Sequence, residues 1–194
     1  VALVGCGESK DEKAAKAKAA AAEAKAAAEA KAAAEAKAEA WVSDPSDPNK
    51  VKIEKAIRAE LKKPTGELTK VDLEKVKELD LFNNQLTEVK GIEKLTQLKI
   101  LRLWRNKLSE VPKGLEKLTK LNVLSLGGNQ LTKVPKELEN LTQLTTLYLN
   151  RNQLTEVPKE LENLTKLKVL SLGGNQLTDV KGLEKLTKLN VLSL

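Results

Sequence analysis

The chain has 194 residues, is 41% hydrophobic but only 2% aromatic, and carries a formal charge of +7. That length allows one medium domain and an appendage. The absence of His removes imidazole metal ligands and the usual general base. Residues 1–40 hold seven Lys against seven Asp plus Glu, so the positive excess belongs to residues 41–194. Stacked units that bury small aliphatic wedges account for a hydrophobic chain with so few rings.

At the start, Leu3, Val4 and Gly5 precede Cys6, the sole Cys. An aliphatic residue and a small residue before a Cys resemble the lipobox that ends a bacterial lipoprotein signal peptide. The charged region and most of the apolar region of such a signal are not in this sequence. The resemblance implies a mature protein beginning at Cys6 and held to a membrane by its acyl chains. At ~0.8 kcal/mol per buried methylene, two or more chains give durable anchoring. Gly7 after the Cys, rather than Asp, implies the outer membrane or cell surface. The alternative is a lone buried Cys in a disordered tip. A single Cys excludes any intrachain disulfide. No charge-free apolar stretch approaches the 18 residues of a membrane span.

Residues 7–42 form an Ala/Lys/Glu-rich segment in which EAKAAA nearly repeats, with Glu23, Glu29 and Glu35 and Lys25, Lys31 and Lys37 in phase. Ala has the best helix propensity, and Lys25 with Glu29, and Lys31 with Glu35, sit one turn apart. No Leu or Ile stripe is present, and a six-residue period does not hold one face to a partner helix. The segment reads as a semi-rigid helical stalk, residues 13–40 of which would reach ~40 Å if fully helical, with a frayed tether as the alternative. Ser43-Asp44-Pro45-Ser46-Asp47-Pro48 breaks that helix, so residues 43–50 read as a linker. Its two Asp lack the Gly and distal Glu of a calcium loop.

Residues 51–75 read as a helical cap. Val51, Ile53, Ala56, Ile57 and Leu61 have helical spacing, Pro64-Thr65-Gly66 ends that run, and Thr69 with Asp72 forms a capping box opening a second short helix. From Val76 to Leu194 the pattern L-x-x-L-x-L-x-x-N-x-L-x-x-V is written five times and begun a sixth. Its Asn recurs at Asn84, Asn106, Asn129, Asn152 and Asn175, at spacings of 22, 23, 23 and 23. A period in the twenties with this pattern marks a leucine-rich-repeat solenoid. The expected fold is an α/β repeat arc with a parallel concave sheet and an extended or 3₁₀ convex side. The Asn side chains are expected to bond turn backbone in a ladder along the array. With no initiator Met, and with a last copy that stops inside its strand, the chain is expected to be part of a longer reading frame.

The segments I-E-K-A-I-R-A-E-L-K-K-P, T-K-V-D-L-E-K-V and N-Q-L-T-E-V-K-G-I-E-K-L, within residues 51–95, resemble the cap and first repeat of internalin-like bacterial leucine-rich-repeat proteins. With the repeats, the resemblance covers Val51 to Leu194. It implies extracellular or envelope-facing protein binding and transfers no particular ligand.

If each strand reads x-L-x-L-x, three columns line the concave face. The first is Glu78, Ile100, Val123, Thr146, Val169 and Val191, and the second is Asp80, Arg102, Ser125, Tyr148, Ser171 and Ser193. The third is Phe82, Trp104, Gly127, Asn150 and Gly173, with Arg105 and Arg151 just beyond it. Three of the four aromatics and three of the four Arg fall here, and these types dominate binding hot spots. Phe82, Ile100, Arg102, Trp104, Arg105, Tyr148, Asn150 and Arg151 are therefore the candidate ligand-binding residues. The alternative is that aromatics here only stiffen strands. With Lys77, Lys99 and Lys168, the face sets six basic groups against Glu78 and Asp80, which suits an acidic protein partner. Nucleic acid fits less well, because the excess is mild and the stacking residues crowd one end.

Without His, and with one Cys near the terminus, the common nucleophilic triads and Cys/His zinc sites are impossible. The sequence thus reads as a monomeric, non-catalytic, cofactor-free lipoprotein of the bacterial cell envelope that binds protein. A structural spacer or tether with no specific ligand is the alternative.

Overall fold

In a computed structural model, residues 10–194 are described. Cys6 and the lipobox lie outside the described residues. The chain divides into two units, one ending at Glu39 and the other spanning Ala40–Leu194.

In the first unit the Ala-rich segment is one helix, α1 (Lys10–Glu39), of 30 residues and ~45 Å. Asp11 and Glu12 sit in its first turn, where the helix dipole favours negative charge. Lys25–Glu29 and Lys31–Glu35 approach to 3.9 and 4.0 Å, exposed and in the weaker Lys-before-Glu order. Ala propensity therefore carries this helix, with little help from its charges.

The stalk, expected to run to residue 42, ends sooner. Ala40 and Trp41 are 4% and 5% exposed and belong to the second unit. The Trp41 backbone N–H donates to Leu68 O, its indole N–H donates to Glu54 at 3.1 Å, and its ring lies on Gly91, where a Cβ would meet it at 2.8 Å. The span 43–50 is likewise not all linker. Asp47 is the N-cap of α2 (Pro48–Leu61), accepting from the N–H groups of Asn49 and Lys50, with Pro48 in the first turn.

Ile53 and Ile57 of α2 are buried, and α3 (Lys70–Leu73) opens with the Thr69–Asp72 capping box and buries Leu73. Between them Lys63 Nζ reaches Asp72 at 2.6 Å, and Arg58 pairs with Glu54 at 2.8 Å. Lys63 and then Thr69, bonding the Asp72 carboxylate, hold it well below its ordinary range. Burial alone would raise Glu54, but hydrogen bonds from Ser43, Arg58 and Trp41 outweigh it and lower its pKa. These polar ties fix the two helices over the first repeat's leucines.

Six strands follow, β1 (Glu78–Asp80), β2 (Ile100–Arg102), β3 (Val123–Ser125), β4 (Thr146–Tyr148), β5 (Val169–Ser171) and β6 (Val191–Ser193). They form one parallel sheet in chain order. The register stacks Leu79, Leu101, Leu124, Leu147, Leu170 and Leu192 in one column, of which the first five are fully buried. The return side carries short 3₁₀ segments at Ile92–Lys94, Leu115–Lys117, Lys136–Asn140 and Lys159–Asn163. Each turns an apolar side chain back into the core: Ile92, Leu115, Leu138 and Leu161.

The Asn ladder runs as the sequence suggests. Asn129 Oδ1 accepts from Leu108 N–H of the preceding copy, while its Nδ2 donates to Leu103 O and Leu126 O. Asn106, Asn152 and Asn175 repeat this bridge. Asn106, Asn129 and Asn152 are buried, so these bonds satisfy backbone that water does not reach.

Candidate functional site

A three-residue strand with its central Leu pointing inward must turn its two flanking residues outward. The register accordingly aligns Glu78, Ile100, Val123, Thr146, Val169 and Val191 in one row, and Asp80, Arg102, Ser125, Tyr148, Ser171 and Ser193 in another. Past each strand the ladder continues through Asn83 N–H to Trp104 O, Arg105 N–H to Gly127 O, Gly128 N–H to Asn150 O, and Arg151 N–H to Gly173 O. That places Phe82, Trp104, Gly127, Asn150 and Gly173 in a third row.

Phe82 is 44% exposed and Tyr148 37%. Trp104 is half-buried but stands outside the leucine core. Phe82 and Trp104 meet with ring centroids 5.9 Å apart at 59°, a tilted pairing that aromatic quadrupoles favour. Over both lies the Arg105 guanidinium, 5.3 Å from the Trp104 ring and 5.9 Å from that of Phe82. Arg102 is drawn instead to Glu78 on the next strand, at 3.4 Å. Asp80 accepts from the backbone N–H of Phe82.

The eight candidates therefore fall into two groups. Phe82, Trp104 and Arg105 touch one another, with Arg102 and the half-buried Ile100 on the strand beside them. Tyr148, Asn150 and Arg151 stand two strands further on. Between the groups lies the copy bearing Ser125, Gly127 and Gly128, which sequence reasoning treated only as bland. Its glycines make the site possible. A Cβ on Gly128 would meet Trp104 Nε1 at 2.8 Å, and one on Gly127 would meet Asn150 Oδ1 at 2.6 Å. Gly174 lies under Arg151 in the same way, at 3.2 Å. The signal was present in the sequence, since the third row and its neighbour read Trp-Arg, Gly-Gly, Asn-Arg, Gly-Gly in successive copies. Large side chains lean on the gap left by a neighbouring copy.

The position after the third row is left-handed throughout: Asn83, Arg105, Gly128, Arg151 and Gly174 have φ of 53°, 56°, 63°, 54° and 72°. Gly takes this conformation freely and Asn tolerates it, but Arg bears a cost of roughly 1 kcal/mol. Trp104 Nε1 adds a second cost, being buried with no hydrogen-bond partner among the described residues. Both costs fall on the residues that build the aromatic and cationic cluster.

Clefts occur on other faces. One of ≈660 Å³ lies beside α2, lined by Pro45, Val51, Arg58 and Pro64 among others. A second, of ≈400 Å³, lies on the return side around Val111, Pro112 and Leu138. Among the described residues no group of three or more His, Cys, Asp or Glu could hold a metal ion, and no helix is long and apolar enough to cross a membrane.

Comparison with known folds extends this picture. An internalin, InlF, of Listeria monocytogenes is 35% identical, with a TM-score of 0.67 over 73% of this chain and 42% of that one. A leucine-rich-repeat protein of Leptospira interrogans is 42% identical, with a TM-score of 0.61 over 63% of this chain and 32% of that one. The functional domain of InlJ of Listeria monocytogenes, which includes a cysteine ladder, is 28% identical, with a TM-score of 0.61 over 69% and 28% of the two chains. The present chain has a single Cys. The chain spans less than half the length of these bacterial proteins. None of the curated proteins matches it. Residues 67–194 match the family described as leucine-rich repeat region, whose arcs generally serve protein interaction. With this match covering most of the chain, and with a parallel six-strand arc closed by helices, the protein belongs to the leucine-rich-repeat family.

Proposed function

We propose that this protein is a non-catalytic binding module of the bacterial cell envelope, lipid-anchored at Cys6, raised on α1, and engaging an acidic protein on its concave face. The observation that carries the binding reading is the Arg105–Trp104–Phe82 stack. It is a large, partly exposed aromatic and cationic surface on a sheet whose third and fifth strands offer Ser and Gly at these places. Surfaces of this composition supply most of the energy in protein interfaces. The paired Arg102 orients the rim, and Tyr148, Asn150 and Arg151 give a second contact. The envelope reading rests on Leu3-Val4-Gly5-Cys6 and on bacterial structural neighbours. The Ala-rich helix, with no apolar stripe for a partner, suits a stalk.

The test is capture from envelope extracts of the native bacterium by wild-type protein, by a Trp104→Ala/Arg102→Ala variant, and by a return-side control, Lys113→Ala/Lys133→Ala. A specific band kept by the control and lost by the concave variant supports the reading. Indifference to both variants favours a tether that binds nothing in particular. In the native reading frame, Cys6→Ser should abolish acyl labelling and release the protein from membranes. Unchanged labelling would remove the anchor from the proposal.

A further inference from the structure

Four Arg occur in the chain, and their side chains are spent very differently. Arg58 is consumed inside the cap by Glu54, Lys63 O and Gly66 O. Arg102 is paired with Glu78 across the strands. Arg105 and Arg151 have no carboxylate and no hydrogen-bond acceptor at their guanidinium groups among the described residues. They occupy equivalent positions two copies apart, each in the left-handed conformation that the copy between them and the copy after them fill with Gly. Each also rests on a glycine of the following copy, Gly128 or Gly174, where a Cβ would crowd its Cγ at 3.4 or 3.2 Å. The chain thus places Arg twice where backbone geometry disfavours it, and clears the next copy both times.

We propose that Arg105 and Arg151 form a two-point receptor for carboxylates on an acidic segment of the partner protein, a reading that rests on the concave-face binding proposed above. The Arg105 guanidinium lies 5.3 Å from the Trp104 ring and 5.9 Å from that of Phe82, and ring contact of this kind leaves its N–H donors unspent, so they can match a carboxylate in bidentate fashion. Two strand steps of ~4.8 Å separate the stations, so the pair reads carboxylates about 10 Å apart. Nearby acidic groups do not quench the pair, because Glu78 is engaged by Arg102 and Asp80 by the Phe82 N–H. Lys77, Lys99 and Lys168, exposed just before β1, β2 and β5, add positive charge nearby.

The test uses the full chain and a rigid polyproline II peptide with two Glu three residues apart, a span of ~9 Å on one side of the peptide, against a matched Gln peptide. Binding is read by fluorescence anisotropy at low and physiological salt. The Glu peptide should bind the wild type better than the Gln peptide. Arg105→Gln and Arg151→Gln should each weaken it about tenfold, as loss of a charged hydrogen-bonding partner does. Arg→Lys at both sites should restore only part of that loss, and circular dichroism should show every variant folded. Equal binding of the two peptides, no binding of either, or preference for an anionic polysaccharide such as heparin overturns the proposal. If the envelope partner is lost with Trp104→Ala/Arg102→Ala but kept with Arg105→Gln/Arg151→Gln, the two-point receptor fails while the concave-face reading stands. If it is kept by both variants, both fail.

Discussion

Single side chains in this protein divide by whether they satisfy backbone or strain it. Asn129 satisfies it, bridging Leu108 N–H to two carbonyls at a site 8% exposed. Replacing it with Ala leaves that N–H buried and unpaired, at a cost of about 2 kcal/mol. Asn84 heads the ladder, and its side chain donates only to Phe82 O in a partly open turn. Asn84→Ala should cost less than about 1 kcal/mol. Chemical denaturation of the two variants checks the ranking, and equal losses would contradict the ladder's role in the core. Arg105 and Arg151 do the opposite, holding a conformation that Gly holds in neighbouring copies. Strain of that kind is retained where a side chain is needed at a surface.

Among the elements, the cap is the one whose stability depends on charge. Asp72, tied to Lys63, Thr69 and Lys75, and Glu54, tied to Ser43, Arg58 and Trp41, both ionise more readily than usual. Because their folded pKa values lie below the ordinary 3.8 and 4.5, their stabilisation is complete above those values. It is lost as pH falls through them toward the depressed values. The protection of the Trp41 indole N–H, its slowing relative to the intrinsic exchange rate at the same pH, should therefore fall below about pH 4, and Asp72→Asn should flatten that dependence. Protection that does not change with pH in the wild type would contradict the assignment. The cap also marks the limit of what the sequence disclosed. The helical period of α2 and the Thr69–Asp72 box were legible because each is a local pattern. Trp41 was not, since it follows an Ala-rich run without periodicity and its partners, Glu54, Leu68 and Gly91, lie far along the chain. Asp47-Pro48 looked like a helix breaker because Pro disfavours helical geometry in the residue before it, yet the same Pro suits the first turn of the helix that begins there.

Across the full array, the fold was legible because repetition states one local solution six times, and strand alternation fixed which residues face outward. The Phe82–Trp104–Arg105 stack and the Arg102–Glu78 pair were not legible, because strand neighbours one copy apart meet only once register is set in space. The result is an arc with an aromatic and cationic surface near the capped end and a smaller one at Tyr148, Asn150 and Arg151, among positions that are mostly Lys, Glu, Thr, Ser and Gly. The central claim is that this surface is where a partner rests. Hydroxyl-radical footprinting of the free protein and of its complex with the captured envelope protein tests it most directly. Oxidation of Phe82, Trp104 and Tyr148 should fall on binding while the return-side Lys113, Pro135 and Lys136, which are open to solvent, keep their rates. Protection confined to the return side, with the three aromatics unchanged, would contradict the account.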